Sequence, residues 1–188
     1  MEYRIRKATI EDAKDIALCL FLAMKDIAFY IFNTNDEKEA LSILEEFIST
    51  ESNQYSYSIC WVVENNNKQV VAASNIYNGA DLIYLRNAVL LYNLNKFDRN
   101  IEIEDETQPG EYYIDCMGVH PNFQGKGIGS LLFRHLIHEY VNQQKQTLGL
   151  LVDLDNPQAK KLYLKLGFEV VGEKTLAGKT LEHMQIKP

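Results

Sequence analysis

One stretch concentrates residues able to do chemistry: Met117-Gly118-Val119-His120-Pro121-Asn122-Phe123-Gln124-Gly125-Lys126-Gly127-Ile128-Gly129-Ser130. A strand ends, a glycine-rich turn follows, and an amphipathic helix begins at once. Such a turn presents several backbone N–H groups at the positive end of a helix dipole, and glycine lets a ligand approach the backbone; a pyrophosphate suits that geometry. Spacing separates the known variants. The P-loop requires Gly-x-x-x-x-Gly-Lys-Ser/Thr, but Gly127 follows Lys126 and His120 stands five before Gly125, so it fails twice. The dinucleotide fingerprint Gly-x-Gly-x-x-Gly finds Gly125 and Gly127 but meets Ser130 at its third position. The turn also comes late in the chain, after antiparallel elements, which is the wrong setting for a doubly wound sheet.

A third pattern, Gln/Arg-x-x-Gly-x-Gly/Ala, is met by Gln124, Gly127 and Gly129 directly after Val119-His120-Pro121. A second signature follows in order: Asn156, Ala159, Tyr163 and Leu166-Gly167-Phe168. With both, the sequence resembles the GNAT superfamily of N-acetyltransferases. The motifs span roughly residues 111–168, and the order of elements extends the likeness over most of the chain.

The resemblance implies an α/β (α+β) GNAT fold: a mixed, mostly antiparallel central sheet, flanked by helices, in which two parallel strands splay apart. Here those are the strands expected at 111–119 and 147–152. It implies acetyl-CoA as co-substrate in the gap. The pantetheine arm would pair with Met117, Gly118 and Val119, and the pyrophosphate would sit on the N–H groups of Gly125, Lys126, Gly127, Ile128, Gly129 and Ser130 behind Gln124. Lys126 adds a cation there. Asn156 would cap the following helix and contact the pantetheine. Tyr163 matches the general acid that protonates the departing thiolate, and it lies two helical turns after Asn156.

Proton accounting supplies the remaining requirement. An amine with a pKa near ~10 is mostly ammonium at neutral pH and must lose a proton before attacking a thioester. The oxyanion needs a donor, which the family takes from a backbone N–H at the end of the motif strand, about Val119. Some members place a glutamate five residues before the asparagine, where this chain has Leu151. Asp115, Glu111, Asp153 or a water relay could then take the proton. Asp115 stands in an otherwise apolar strand (Ile114, Cys116, Met117) and needs a reason to be there; it is read as base or as anchor for the substrate ammonium. Direct transfer makes Cys116 a bystander. His135 and His138 stand three apart without a third ligand, so no metal is expected.

These groups require positioning elements. Alternation predicts a strand at 3–8. Apolar spacings of three and four predict a helix over 10–32, and Thr34 with Glu37 offers a capping box for a second helix through residue 48. Two apolar runs at 57–64 and 69–77 flank Asn65-Asn66-Asn67-Lys68 as a hairpin. A helix at 80–96 is extra to the minimal family fold. Ile128, Leu132, Leu136 and Tyr140 recur every four residues and predict a helix of about 14 residues. Asn156-Pro157 starts another helix, which Gly167 ends. Strands at 168–172 and 181–186 close the chain. No repeat or linker is visible, so residues 1–188 read as a single N-acetyltransferase domain.

Charge bounds the partners. The 188 residues carry 19 Lys and Arg against 26 Asp and Glu, a net charge of −7, which argues against binding nucleic acid by phosphate neutralisation. Residues 1–115 hold 10 basic and 20 acidic side chains, whereas residues 116–188 hold 9 and 6. The run Glu102, Glu104, Asp105, Glu106, Glu111, Asp115 reads as a solvated acidic loop, or as a field that draws cationic substrates. Three scattered cysteines, no apolar leader and no membrane-length run point to a cytoplasmic protein without nucleic-acid or membrane partners. The expected function is transfer of an acetyl group directly to an amine of a cationic small-molecule or peptide acceptor. The alternative is a non-catalytic acyl-CoA-binding regulatory domain. A homodimer through the late strands or the extra helix fits the resemblance as well.

Overall fold

The computed structural model describes residues 2–188 and builds them around one seven-stranded sheet. Its strands are β1 (Arg4–Lys7), β2 (Cys60–Glu64), β3 (Val70–Asn78), β4 (Tyr112–Val119), β5 (Leu148–Asp153), β6 (Glu169–Leu176) and β7 (Lys179–Ile186), in the order β1-β2-β3-β4-β5-β7-β6. Every neighbouring pair is antiparallel except β4 with β5. That parallel pair registers only from Tyr112–Leu148 to Ile114–Leu150. Beyond Ile114 the two strands diverge, so the expected splay is present.

Helices cover both faces. On one side α1 (Ala13–Ala23), α2 (Lys25–Phe32) and α3 (Glu37–Ile48) bury Ile16, Leu20, Phe32, Leu44 and Ile48 with Val62 and Ala73 of the sheet. On the other, α5 (Ile128–Leu136) and α6 (Pro157–Leu166) pack Ile128, Leu132 and Leu136 with Leu148, Leu150 and Phe168. The fourth helix, α4 (Leu82–Phe97), lies between β3 and β4 in sequence. It corresponds to the extra helix expected at 80–96.

Several boundaries differ from the sequence expectation. The helix read over 10–32 opens with a 3-10 turn (Ile10–Asp12) and breaks at Met24, whose φ of −128° and ψ of 29° leave the helical region. No glycine or proline marks that break. Helix α3 is capped by Asp36, which accepts from Lys38 and Glu39 N–H, and not by Thr34; the Thr34 hydroxyl instead bonds Asp36 N–H and Glu39. The hairpin's first arm starts as a 3-10 turn at Tyr57–Ile59 and becomes strand only at Cys60. Helix α5 passes into a π-helical segment, Ile137–Gln143. The last two strands are longer than expected because they meet in a tight turn at Ala177-Gly178.

Gly118 fixes how α1 meets the sheet. A Cβ there would sit 1.8 Å from the carbonyl oxygen of Cys19, so any side chain would push α1 off β4. Packing therefore demands this glycine independently of any ligand.

Candidate active site

The site begins with an irregularity in β4. Its register with β3 runs from Val119–Ala72 to Cys116–Asn75 and resumes at Ile114–Ile76, leaving Asp115 as the extra residue of a β-bulge. Regular alternation would send Asp115 and Cys116 to opposite faces. The bulge keeps both on the α1 side, where the Cys116 thiol meets the Leu20 carbonyl and Asp115 lines a cavity. Asn75 holds the bulge: its Nδ2 donates to Asp115 Oδ2 at 2.9 Å and to the Gln54 carbonyl at 2.8 Å, and its Oδ1 accepts from Cys116 N–H at 2.9 Å.

The bulge also shifts which backbone groups face the gap. His120 N–H bonds to the Val71 carbonyl at 2.9 Å, so by antiparallel alternation Gly118 bonds Ala73 while Met117 and Val119 turn their N–H and C=O groups toward the side where β5 departs. The Val119 carbonyl receives Gln124 Nε2 at 3.1 Å. The Val119 N–H and both backbone groups of Met117 are left facing the splay.

The cavity at the splay measures about 460 Å³. Asp115, Cys116, Met117, Leu151, Asn156 and Tyr163 line it, together with Met24 and Ile27 at the α1–α2 break. Asp115 and Tyr163, the two expected catalytic residues, thus share one cavity. Tyr163 is wedged against Phe133 and Phe168, at ring-centroid distances of 5.1 and 6.1 Å, and burial pushes its phenol up to about 12. Asn156 accepts from Ala159 N–H at 3.1 Å and caps α6 as expected.

Glu106, unremarked within the acidic run, comes into the same cavity. It is 4% exposed, and its carboxylate accepts from Tyr77 Oη at 2.9 Å and pairs with Arg86 at 3.3 Å. Gln54 Nε2 bridges the two acids, 3.3 Å from Glu106 Oε1 and 3.3 Å from Asp115 Oδ2. Burial, followed by the charge of Glu106, pushes the Asp115 carboxyl up to about 8. Burial raises Glu106 as well, against the pull of Arg86. Both shifts disfavour holding two negative charges in this desolvated pocket.

The other two acids read as candidate bases lie elsewhere. Glu111 is buried at the opposite end of β4, held by His183 Nε2 at 2.9 Å, Gln185 at 2.8 Å and the Thr107 hydroxyl at 2.6 Å. Burial opposes its ionisation, but those hydrogen bonds keep it below the ordinary glutamate range. Glu111 does not line the cavity. Asp153 lies in an outer vestibule of about 830 Å³, 3.7 Å from Lys179. The vestibule also holds Asp26, Glu102, Glu104 and Asp155, and it shares Leu22, Ala23, Met24, Ile27, Asn156, Leu176 and Leu181 with the inner cavity. The acidic run is therefore only partly a solvated loop: Glu106 and Glu111 are buried, and Glu102 and Glu104 face the vestibule.

The glycine turn lies at the other end of the splay. Gly125 (φ 72°) and Gly127 (φ 77°) adopt left-handed backbone, and Gly127 caps α5 without a side chain occupying the N–H groups of the first turn. A Cβ at either position would meet nothing within 4 Å, so backbone conformation and open space, not packing, account for these glycines. Lys126 reaches the Asn122 carbonyl at 2.9 Å, over the Phe123 ring. Gly129 abuts Val119, Ser130 is half-buried, and the Ile128 side chain enters the core, leaving only its backbone N–H for a ligand. The free N–H groups at a helix start fit a diphosphate, and the free strand edge fits an amide-bearing arm.

A mixed α/β sheet with one splayed parallel pair and a glycine turn at the head of the following helix defines an acyltransferase type of architecture, and the comparisons agree. The sequence model described as "Acetyltransferase (GNAT) family" matches residues 24–168, and the chain belongs to that family. A crystal structure of an acetyltransferase superposes with a TM-score of 0.82 at 33% identity, covering 98% of each chain. An N-acetyltransferase from Staphylococcus aureus Mu50 shares the fold, with a TM-score of 0.85 at 23% identity over 97% of this chain and 100% of that one. Among curated proteins, mycothiol acetyltransferase of Mycobacterium sp. (strain JLS) is 40% identical over 65 residues, 32% of this chain and 21% of that protein. N-alpha-acetyltransferase RimI of Mycobacterium tuberculosis (strain ATCC 25618 / H37Rv) is 39% identical over 66 residues, 35% of this chain and 40% of its own length. The chain thus spans well under half the length of these curated relatives.

Proposed function

We propose that the protein is an acetyl-CoA-dependent N-acetyltransferase that transfers the acetyl group directly to a primary amine of a cationic small molecule or peptide. The observation that carries this reading is the divergence of β4 from β5 beyond Ile114, with Asp115 and Tyr163 lining one cavity at the splay. The glycine turn at α5 supports the placement of a diphosphate on the N–H groups from Gly125 to Ser130. The free backbone edge of Met117 and Val119 supports pairing with a pantetheine arm beside Asn156.

Bound acetyl-CoA would supply an activated thioester carbonyl. Asp115 accepts a proton from the acceptor ammonium, freeing the nitrogen lone pair to form the N–C bond. The Val119 N–H donates to the acyl oxygen as negative charge develops there. Tyr163 donates its phenolic proton to the sulfur as the C–S bond breaks. The second proton lost by the acylated nitrogen returns to the phenolate, leaving a neutral amide, a thiol and one proton on Asp115. The raised pKa of Tyr163 does not forbid its donation, because burial here lifts thiols too: Cys116 is pushed well above its ordinary value. A sulfur leaving in the same surroundings is correspondingly more basic. Acidic groups of the vestibule attract cations and would concentrate a cationic acceptor at the mouth of the cavity.

Calorimetric titration of acetyl-CoA into CoA-free protein, followed by thiol release with amine acceptors, tests the reading. One-site binding with amine-dependent release of CoA is expected. No binding of acetyl-CoA overturns the proposal, and binding without turnover over a broad amine panel leaves an acyl-CoA-binding regulatory domain.

A further inference from the structure

The inner cavity contains an arrangement that the transfer chemistry alone does not use. Gln54 is 4% exposed and lines the cavity, and its amide nitrogen spends both hydrogens on the carboxylates of Glu106 and Asp115. In this orientation the amide gives one hydrogen to each acid, the arrangement that two ionised carboxylates require. Oε1 is then fixed in place, fully buried, without a hydrogen-bond partner among the described residues. An orphaned buried acceptor is costly and calls for a donor. Each carboxylate beside it also keeps acceptor capacity, and all three residues line the same cavity.

The apolar side chains of Leu22, Met24, Ile27, Leu176 and Leu181 belong to both cavity and vestibule. The vestibule is otherwise acidic, and its two lysines have carboxylate partners, Lys25 with Glu37 and Lys179 with Asp153. The carboxylates of Asp26, Glu102 and Asp155 have no ion pair among the described residues. Acceptors line the inner cavity, apolar side chains line both spaces, and unpaired carboxylates line the vestibule.

Resting on the function proposed above, we propose that Gln54, Glu106 and Asp115 form a cradle for the three N–H donors of a primary ammonium, and that the acceptor is a linear aliphatic diamine or polyamine whose second cation sits in the vestibule. A primary ammonium on an unbranched chain satisfies all three acceptors, including Gln54 Oε1. Methylation of the nitrogen removes a donor and leaves one acceptor bare. A distal carboxylate on the same chain meets like charge in the vestibule.

The test uses the full chain with saturating acetyl-CoA and four acceptors: 1,5-diaminopentane, its N-methyl derivative reacting at the methylated end, n-pentylamine and 5-aminopentanoate. The diamine is expected to show kcat/KM about tenfold or more above pentylamine, with the amino acid lower still. Gln54→Met, close to isosteric, is expected to raise the diamine KM and to shrink the preference for primary over methylated nitrogen, with acetyl-CoA affinity retained as the check on folding. Glu102→Gln with Asp155→Asn is expected to narrow the diamine-to-monoamine ratio. If acetyl-CoA binds but the amino acid or the monoamine is acetylated as well as the diamine, the inference is overturned while the acetyltransferase reading stands. If acetyl-CoA does not bind at all, the underlying reading fails first. Unchanged nitrogen selectivity in Gln54→Met removes the cradle.

Discussion

Asn75 and Asp115 are joined across the β3–β4 bulge by a 2.9 Å hydrogen bond, and the same Asn75 side chain takes the N–H of Cys116 on its other atom. One amide thus stands in for the ladder bond that the bulge removes and holds the carboxylate that the bulge exposes. Within the irregularity Asn75 answers the Cys116 N–H and one carboxylate oxygen of Asp115.

Asn75→Ala should therefore cost stability as well as activity. It strands a buried backbone N–H at Cys116 and the carbonyl of Gln54, at about 2–3 kcal/mol together. For a chain of this size that lowers the melting temperature by about 4–12 °C. Thermal unfolding followed by circular dichroism checks it; a shift below 2 °C would mean that water replaces the amide without loss.

The raised carboxyl of Asp115 sets two opposite pH dependences. As a base it works only when ionised, so kcat/KM should climb with pH toward about 8, with a slope that Asp115→Asn removes along with most of the rate. Stability runs the other way. The native state holds a proton up to about 8 that the unfolded chain releases near 3.8, so the native state loses stability as pH rises between those values. Asp115→Asn has no such titration. Its melting temperature relative to the parent should increase from pH 5 to pH 8, and a constant difference would show that the carboxyl titrates normally.

Tyr163→Phe tests the acid. The ring packing against Phe133 and Phe168 survives the substitution, and no hydrogen bond holds the phenol in place among the described residues, so folding and acetyl-CoA affinity should persist. Loss of a positioned acid lowers kcat by about 10²-fold or more. Steady-state rates beside calorimetric acetyl-CoA binding separate the two effects, and an unchanged kcat with chemistry limiting removes Tyr163 from the mechanism.

The half of the candidate site proposed to hold the cofactor was legible in the sequence because it is local. Gln124 to Ser130 and Asn156 to Phe168 each form a contiguous motif on one strand–helix junction, and the divergence of β4 and β5 followed from those motifs. The half proposed to hold the acceptor is assembled from afar: Gln54 precedes β2, Glu106 lies in the loop after α4, and both reach Asp115 only through the tertiary fold. Spacing carries no trace of that. Asp115 could be singled out because a charge in an apolar strand is conspicuous, whereas Glu106 directly follows three exposed acids, Glu102, Glu104 and Asp105, in a polar loop. One signal went unread. Arg86 falls on the apolar face of α4 with Leu82, Leu85 and Val89, and a cation at a core position implies a buried anion opposite. The break at Met24 had no such marker.

Arg86 provides the sharpest test of that buried pairing. It is 3% exposed, bonds the carbonyls of Ile103 and Glu104 at 2.8 and 3.1 Å, and faces Glu106 at 3.3 Å. Arg86→Met removes the charge, keeps much of the apolar stem, and leaves Glu106 beside Asp115 with no cation near. Breaking a buried pair from one side costs about 3–5 kcal/mol. Most of that cost is the stranded carboxylate, so adding Glu106→Gln should recover a large part of it, and the double variant should be more stable than Arg86→Met alone. The loop carbonyls would remain unanswered in both, which limits the recovery to less than complete. Urea unfolding of the two single variants and the double variant gives the coupling directly. If the effects simply add, the guanidinium serves the loop backbone and not Glu106, and the negative charge at the inner cavity is set by the carboxylates alone.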